Sequence, residues 1–298
     1  MRLADLGNTA FAAHLSIQLA RWLPMGAART VADAAARLAA RNPESPLVQA
    51  VRSNQSVVRG LPYGSPETRA AVDQVLQNAM RAHADVFRAL AIGRHALMEG
   101  MVLDDSLKEL LDDALPRRRG VIMVGAHMSA FEFMLLTLTE RGYPGLALAY
   151  ANPTGSYRVQ NEIRRRHGLD VLPIDMHALR TAIERLRGGG LVMTGVDRPD
   201  PAGRPLRLCG RLAQLPVGHA RLAMRAGSLL VAVVCASDGP NHYRGIGLGQ
   251  LDPHDFASGA DGIHALAQAA LDLFEPQLRS RPGEWLMFYP LWPEAIPA

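Results

Sequence analysis

From Gly120 onward the chain alternates short apolar runs with amphipathic segments of helical length, and this alternation constrains the fold more than any other feature of the sequence. The apolar runs are Val121–Val124, Leu146–Leu148, Val171–Leu172, Leu191–Met193 and Leu229–Val234. Each run is strand-sized or shorter, and most are bounded by Gly, Pro or Asp. Strands that alternate with helices require crossover connections. We therefore expect an α/β fold whose mixed, partly parallel sheet is flanked by helices.

The part of the chain before Gly120 has only helical patterns. A long helix is predicted to open at Ser65-Pro66-Glu67, where serine caps the helix and proline occupies its first turn. The sequence thus predicts an all-helical N-terminal region over residues 1–115, packed on an α/β core over residues 116–298. Near the end of the chain, Trp285–Tyr289 is predicted to form a late strand.

Composition excludes several kinds of site. Lys108 is the single lysine, and it lies in a helical pattern rather than after a glycine-rich turn or in a Schiff-base setting, which excludes a P-loop and a pyridoxal enzyme. The two cysteines are too few for a disulfide scaffold or a zinc ribbon. None of the ten histidines lies two, three or four residues from another, so no metal site is predicted.

No apolar run approaches the roughly 18 residues that a membrane-spanning helix needs. Near the N-terminus an apolar stripe recurs at helical spacing, formed by Phe11, Leu15, Leu19, Trp22 and Leu23. This stripe either packs on the protein's own core or lies flat on an anionic bilayer, where nearby arginines would assist. We expect a cytoplasmic protein, with peripheral contact on the inner face of the cell membrane as the membrane-bound alternative.

Two polar segments follow apolar runs directly, at positions where ligands bind in open α/β sheets. The first holds His127 in a strand-to-helix turn, with Glu132 five residues later, close enough to hold one nitrogen of the imidazole ring. The other nitrogen would then act as a general base, although a half-buried structural histidine has the same pattern. The second segment holds Asp197 and Arg198, which we expect to line an acceptor site at the same sheet edge.

The segment Val-Gly-Ala-His127-Met-Ser-Ala-Phe-Glu132 resembles the H-x4-D/E motif of the lysophospholipid acyltransferase superfamily, specifically its lipid A biosynthesis (lauroyl/myristoyl) acyltransferase family. Further blocks resemble the family in the same order, namely Val51–Tyr63, Asn152–Gly168, Gly195–Arg198, Leu208–Gly210, Leu215–Gly218 and Ala220–Ala223. The resemblance spans nearly the whole chain. It departs from the family at Phe131, where a tryptophan is common, and in lacking a membrane-spanning first helix.

The resemblance implies that His127 is the general base on the acceptor's hydroxyl or amine and that Glu132 is its orienting carboxylate. The acyl donor would be a thioester, either acyl-CoA or acyl carrier protein, and the acceptor a lipid or glycolipid rather than a nucleic acid. No bound cofactor is implied, and neither a G-x-S-x-G segment nor a suitably placed cysteine offers a covalent nucleophile.

Further residues are assigned to substrate contacts. Arg164 is favoured for a phosphate by its place in the family block, and Asp197 for a sugar or glycerol hydroxyl. An acyl chain needs an apolar groove beside the histidine, for which Met128, Phe131 and Phe133 are the nearest candidates.

Two alternatives remain open. The same chemistry on a soluble specialised-metabolite acceptor would explain the missing membrane helix. A non-catalytic relative that binds acyl chains is the other, and the intact His127 and Glu132 argue against it.

Overall fold

The computed structural model describes residue 22 and residues 24–117, 119–151 and 155–297. Within these residues the helices are α1 (Met25–Ala40), α2 (Pro46–Arg59), α3 (Pro66–Ile92), α4 (Arg94–Gly100), α5 (Asp105–Ala114), α6 (Phe131–Glu140), α7 (Ser156–Arg166), α8 (Met176–Arg187), α9 (Gly218–Ala226) and α10 (Gly259–Ser280). The strands are β1 (Met101–Leu103), β2 (Val121–Gly125), β3 (Gly145–Ala149), β4 (Asp170–Pro173), β5 (Leu191–Gly195), β6 (Arg204–Leu208), β7 (Arg211–Leu215), β8 (Leu229–Ser237) and β9 (Tyr243–Leu251).

Seven strands form one sheet in the order β1-β9-β8-β2-β5-β3-β4, while β6 and β7 pair as a separate antiparallel ribbon. The five strands from β8 to β4 are parallel to one another, and β9 runs antiparallel to β8. The expected α/β fold with a mixed, partly parallel sheet is confirmed. Strand β2 lies between β5 and β8, so the segment that follows it emerges near the middle of the sheet edge.

The sheet is covered by helices on both faces, which explains why its strands are continuous apolar runs. Side chains alternate along β2, so Ile122 and Val124 enter one buried cluster while Val121 and Met123 enter another on the opposite face. The face that carries Met123 packs against α6. The same face bears the candidate pocket.

The N-terminal helices begin and end as their sequences require. Ser45 and Ser65 each accept a hydrogen bond from a backbone N–H of the helix they precede, and a proline follows each of them. Helix α2 ends at Gly60, whose φ of 66° lies in the left-handed region that glycine adopts without cost.

The structure differs from the sequence-based expectation at three places. Strand β1 lies within the region that was expected to be entirely helical, and the β6–β7 ribbon was not anticipated. Residues 285–289 do not form a strand, since their one ladder contact is an isolated bridge between Met128 and Trp285. The side chain of Asn54 takes the place of a neighbouring strand, because its amide donates to the carbonyls of Met287 and Tyr289 and accepts from the N–H of Leu291.

The predicted N-terminal stripe falls largely outside the described residues. Phe11, Leu15, Leu19 and Leu23 lie there, and of the stripe only Trp22 is described, with 79% of its surface exposed. Over the described ranges, no helix combines the length and apolar character needed to cross a bilayer.

One buried histidine lies apart from the sheet edge. His219, in the first turn of α9, is buried, and neither nitrogen of its ring has a hydrogen-bond partner within the described part of the chain. Burial lowers the pKa of this imidazole from its ordinary value of 6.5 to about 4. The folded protein therefore keeps His219 neutral over a pH range in which the unfolded chain protonates it.

This difference predicts a pH-dependent stability. Below pH 6.5 the unfolded chain binds a proton at position 219 that the folded chain binds only near pH 4, so the free energy of unfolding falls as the pH drops through this window. We expect His219→Leu to remove that fall and to raise the free energy of unfolding by about 2 to 3 kcal/mol near pH 4.5. Urea denaturation across this range measures it, with exposed His177→Leu as control. A His219→Leu protein that keeps the wild-type slope contradicts the assignment.

Candidate active site

The two polar segments predicted to meet at one sheet edge do so. Strands β2 and β5 are parallel neighbours, and Gly125 pairs in register with Gly195 at their carboxyl ends. The chain continues for two residues beyond each glycine, to His127 and to Asp197 respectively. Because the register is shared, the two side chains arrive side by side, although they are 70 positions apart in the sequence.

The carboxylate of Asp197 is buried beneath the histidine and accepts three hydrogen bonds. Its Oδ1 lies 2.6 Å from Nδ1 of His127, while Oδ2 accepts from the backbone N–H of His127 and from the indole N–H of Trp285, each at 2.8 Å. Burial opposes ionisation of this carboxyl, but the charge and hydrogen bonds of His127, together with the Trp285 N–H, hold its pKa below its usual range. Asp197 is thus a buried anion that orients the imidazole.

His127 is partly exposed and lines a pocket at the sheet edge. With Nδ1 bonded to Asp197, the ring nitrogen Nε2 has no hydrogen-bond partner among the described residues. The ring of Phe131 packs edge-on against the imidazole, with centroids 4.8 Å apart. The carbonyl of His127 accepts from the N–H of Leu286 at 2.8 Å. The histidine is therefore fixed from three sides and presents one nitrogen to the pocket.

Glu132 does not hold the histidine, which corrects the role expected from the sequence. Both of its oxygens accept from the guanidinium of Arg164 on α7, at 2.8 and 2.5 Å. Residue Ser129, at a φ of 49°, turns the chain between His127 and α6, and the first turn of α6 presents Glu132 to α7. Since Asp197 already occupies Nδ1 from the neighbouring strand, the carboxylate five residues along the chain pairs with an arginine instead.

Arg164 is buried and lines the pocket, where the sequence placed a substrate-binding residue. It also donates to the side-chain carbonyl of Asn161 at 3.0 Å, and its guanidinium lies over the ring of Tyr157, 5.8 Å from the centroid. Burial disfavours its charge, but the adjacent Glu132 carboxylate more than offsets this and raises the pKa of Arg164. The charge of Arg164 is therefore permanent at this position.

Arg198 lies over two tyrosine rings, 6.0 Å from the centroid of Tyr157 and 5.5 Å from that of Tyr289. Within the described residues, its guanidinium has no carboxylate partner. Because Tyr157 also lines the pocket, Arg198 brings an uncompensated positive charge close to the pocket's opening. Asp197, by contrast, is buried beneath the histidine and does not line the pocket, so its expected contact with an acceptor hydroxyl is corrected to support of the imidazole.

The pocket lies between the sheet, α6 and α7 and is open to solvent, with about 610 Å³ of empty space that includes the solvent at its mouth. Gly125 and Gly195, which carry no side chain, line the pocket near His127. Met123 and Met193, which pair in register two residues earlier in the same strands, line it further from the sheet edge. It is lined by Met123, Gly125, Ala126, His127, Phe131, Met134, Leu135, Ala147, Leu148, Tyr157, Arg164, Met193, Thr194, Gly195 and Val233. The pocket is thus apolar in depth and polar at the histidine.

Of the three residues expected to form an acyl groove, the structure places one there. Phe131 lines the pocket, whereas Met128 and Phe133 are fully packed in the clusters on the two faces of the sheet. The reason is the turn after His127, which directs Met128 against Trp285 and Phe133 against Tyr243. The sequence analysis did not predict three methionines of the lining, Met123, Met193 and Met134. Side chains two residues apart in a strand share a face, so Met123 and Met193 could have been identified by counting back two residues from Gly125 and Gly195.

An imidazole with one nitrogen held by a buried carboxylate and the other facing a cavity can accept a proton from a hydroxyl or amine. The carboxylate stabilises the imidazolium that forms. Trp285 was predicted only as part of a late strand. Its indole N–H is a third polar group beside the imidazole of His127 and the carboxylate of Asp197.

Comparison with known proteins gives one consistent result. Residues 7–294 match the family model described as bacterial lipid A biosynthesis acyltransferase. The chain is 27% identical over 280 residues to a phosphatidylinositol mannoside acyltransferase of Mycobacterium tuberculosis, covering 91% of this chain and 84% of the relative. It is 26% identical over 302 residues to the phosphatidylinositol mannoside acyltransferase of Mycolicibacterium smegmatis, covering 98% and 92% respectively.

Alanine substitutions at Gly125 and Gly195, the paired glycines of the pocket, test how the imidazole of His127 is positioned. A β-carbon at position 195 would lie 2.8 Å from Cε1 of His127, whereas one at position 125 would meet the carbonyl oxygen and Cγ2 of Val233 at 3.5 and 3.8 Å, which are ordinary contact distances. We expect Gly195→Ala to displace the imidazole by about 0.5–1 Å, since unstrained carbons lie about 3.5–4.0 Å apart. The Nδ1 proton resonance of His127 should then weaken or shift in NMR spectra. Gly125→Ala, the control, should leave it in place, and equal effects would contradict the prediction.

Proposed function

The chain belongs to the bacterial lipid A biosynthesis acyltransferase family, and we propose that this acyltransferase moves a fatty acyl group from a thioester to a hydroxyl or amine of a lipid or glycolipid. The observation that carries the proposal is the His127–Asp197 pair at the mouth of an apolar pocket. The donor would be acyl-CoA or acyl carrier protein.

In the proposed reaction, Nε2 of His127 takes the proton of the acceptor's hydroxyl or amine as the acceptor attacks the thioester carbonyl. Asp197 stabilises the resulting imidazolium through the bond at Nδ1. The tetrahedral intermediate collapses, its carbon–sulfur bond breaks, and the leaving thiolate takes up the proton that the imidazolium holds. Since a thiolate leaves readily, the reaction requires no covalent intermediate on the enzyme.

The shape of the pocket supports a fatty acyl donor. Its polar end is at His127, and its depth is lined by methionine side chains, which adapt to flexible apolar ligands. We infer that the thioester carbonyl lies at the histidine and that the hydrocarbon chain extends past Gly125 and Gly195 toward Met123 and Met193.

Two arginines support an anionic or strongly polar substrate headgroup at the opening. Among the described residues Arg198 has no carboxylate partner, and its guanidinium lies over the rings of Tyr157 and Tyr289, so its N–H donors can serve a substrate phosphate. Arg164 is engaged by Glu132 but still lines the pocket. We propose that Arg198 contacts a phosphate of donor or acceptor and that Glu132 acts indirectly, by holding Arg164 in place.

The relatives named above act on phosphatidylinositol mannosides, and on that basis we propose a glycolipid acceptor for this chain. A lipid acceptor requires access to a membrane surface, so the proposal includes peripheral docking at the cytoplasmic face. A soluble acceptor remains the alternative if no docking occurs.

Substitution of His127 or of its carboxylate partner Asp197 should lower kcat by large and similar factors. We expect His127→Ala and Asp197→Asn each to lower kcat for acyl transfer by about 10²–10⁴-fold, because the proton acceptor is lost or its imidazolium is no longer stabilised. The assay follows thiol release from an acyl thioester in the presence of a glycolipid acceptor. Exposed His177→Ala serves as the control, and circular dichroism verifies that each variant is folded.

The substitution Glu132→Gln distinguishes the role of Glu132 from that of Asp197. Since Glu132 holds Arg164 rather than the base, we expect this substitution mainly to raise KM. A Glu132→Gln enzyme as inactive as His127→Ala, alongside near-normal Asp197→Asn, would return the orienting role to Glu132.

Membrane docking can be tested at Trp22, the described residue of the N-terminal stripe. We expect the wild-type protein to float with phosphatidylglycerol-containing vesicles at low salt and Trp22→Glu to float less, because an apolar side chain is lost from the bilayer interface. Val102→Glu, at another exposed apolar position, should float like the wild type. Equal flotation of all three proteins, or none for the wild type, would favour the soluble acceptor.

A further inference from the structure

The indole of Trp285 is buried against the catalytic pair. Its N–H donates to Oδ2 of Asp197 at 2.8 Å, and both side chains are about 1% exposed. The same oxygen accepts from the backbone N–H of His127, so two donors fix Oδ2 and leave Oδ1 directed at the imidazole. Within the described residues, these three donors are the polar partners of the carboxylate.

The position of Trp285 is set by the turn that carries the histidine. Met128 and Trp285 form a β-bridge, the N–H of Leu286 donates to the carbonyl of His127, and the N–H of Ser129 donates to the carbonyl of Glu284 at 2.7 Å. These backbone contacts hold the segment of Trp285 against the turn of His127, and the indole N–H reaches the carboxylate beneath the imidazole.

We propose that Trp285 is a positioning residue of the catalytic machinery: its N–H holds Asp197 in the rotamer and the ionised state that His127 needs in order to act as a base. The kinetic part of this inference rests on the proposed function, while its structural part does not. Trp285 touches neither the pocket nor the reacting atoms, and it acts only through Asp197.

Hydrogen-bond energetics support this role. A buried carboxylate that loses one of few donors is poorly solvated, so it becomes a stronger proton acceptor and gains freedom to rotate. Because the Trp285 N–H is one of the groups that lower the pKa of Asp197, its loss raises that pKa, and the ionised carboxylate that supports the imidazole is depleted sooner on acidification. The other charged groups around the pair are Arg198, next in the chain, the Glu132–Arg164 pair at the pocket, and Glu284, which binds Arg281.

The chain contains a matched control. Trp292 is also fully buried, its ring centroid is 6.3 Å from that of Trp285, and its own N–H has no hydrogen-bond partner within the described part of the chain. Replacing either tryptophan by phenylalanine removes the same atoms from the same apolar cluster. Of the two variants, Trp285→Phe removes the hydrogen bond to Asp197, whereas Trp292→Phe leaves it in place.

The first experiment needs no substrate. The chain has three tryptophans, so a ¹⁵N–¹H spectrum contains three indole signals, and Trp285→Phe and Trp292→Phe assign two of them. We expect the Trp285 signal to lie downfield of that of Trp292 and to move upfield in Asp197→Asn, while that of Trp292 stays. An unchanged Trp285 signal in Asp197→Asn overturns the inference. The indole signals test the hydrogen bond even if the proposed acyl transfer is wrong. If Trp285→Phe does not fold, Asp197→Asn still tests the bond, because it retains the indole of Trp285.

The second experiment compares the phenylalanine variants in acyl transfer. We expect Trp285→Phe to lower kcat about 10- to 100-fold, with KM nearly unchanged, and to move the acid limb of the kcat profile to higher pH. Trp292→Phe should keep the wild-type kcat and pH profile. In the Asp197→Asn background, Trp285→Phe should add little further loss. Equal losses in both tryptophan variants, with no displacement of the acid limb, would reduce Trp285 to a packing role and overturn the inference.

Discussion

The buried carboxylate of Asp197 is the interaction on which the arrangement at the sheet edge depends. An ionised carboxylate removed from water is costly by several kcal/mol unless donors surround it. Here the donors come from the imidazole and backbone of His127 and from the indole of Trp285. Because two of them lie in the β2–α6 turn and the third near the chain's end, one anion fixes three separate segments relative to one another. The orientation of the imidazole is a consequence of satisfying that charge.

The segment that bears Trp285 is itself held by the N-terminal helices. Three consecutive buried side chains of α2, Ser53, Asn54 and Gln55, bond to backbone groups between residues 282 and 292. Asn78 of α3 does the same at Gly283. Each buried amide or hydroxyl is expensive to leave unpaired, so these contacts specify the path of a segment that has no strand partner. Helices α2 and α3 therefore fix the position of the segment that carries Trp285.

The sequence predicted the parts of this protein that depend on local pattern. Strands buried on both faces appear as apolar runs, and polar residues directly after them marked His127 and Asp197 at one edge. The roles were harder to assign, because Glu132 is near the histidine in sequence whereas Asp197 is near it through the register of β2 and β5, which no local pattern encodes. The hydrogen bonds that Trp285 donates to Asp197 and that Asn54 donates to Met287 could not be predicted for the same reason, because each joins residues more than 80 positions apart.

The wide separation of these partners along the chain has a consequence for biosynthesis. His127 lies 70 positions before Asp197 and Trp285 lies 88 positions after it, while Asn54 reaches 237 positions forward to Leu291. Closing loops of this length is slow compared with forming helices, and at about 5–20 residues per second a ribosome adds Trp285 on the order of ten seconds after His127. The nascent polypeptide therefore holds His127 and Asp197 without the third donor of the carboxylate until Trp285 has been synthesised.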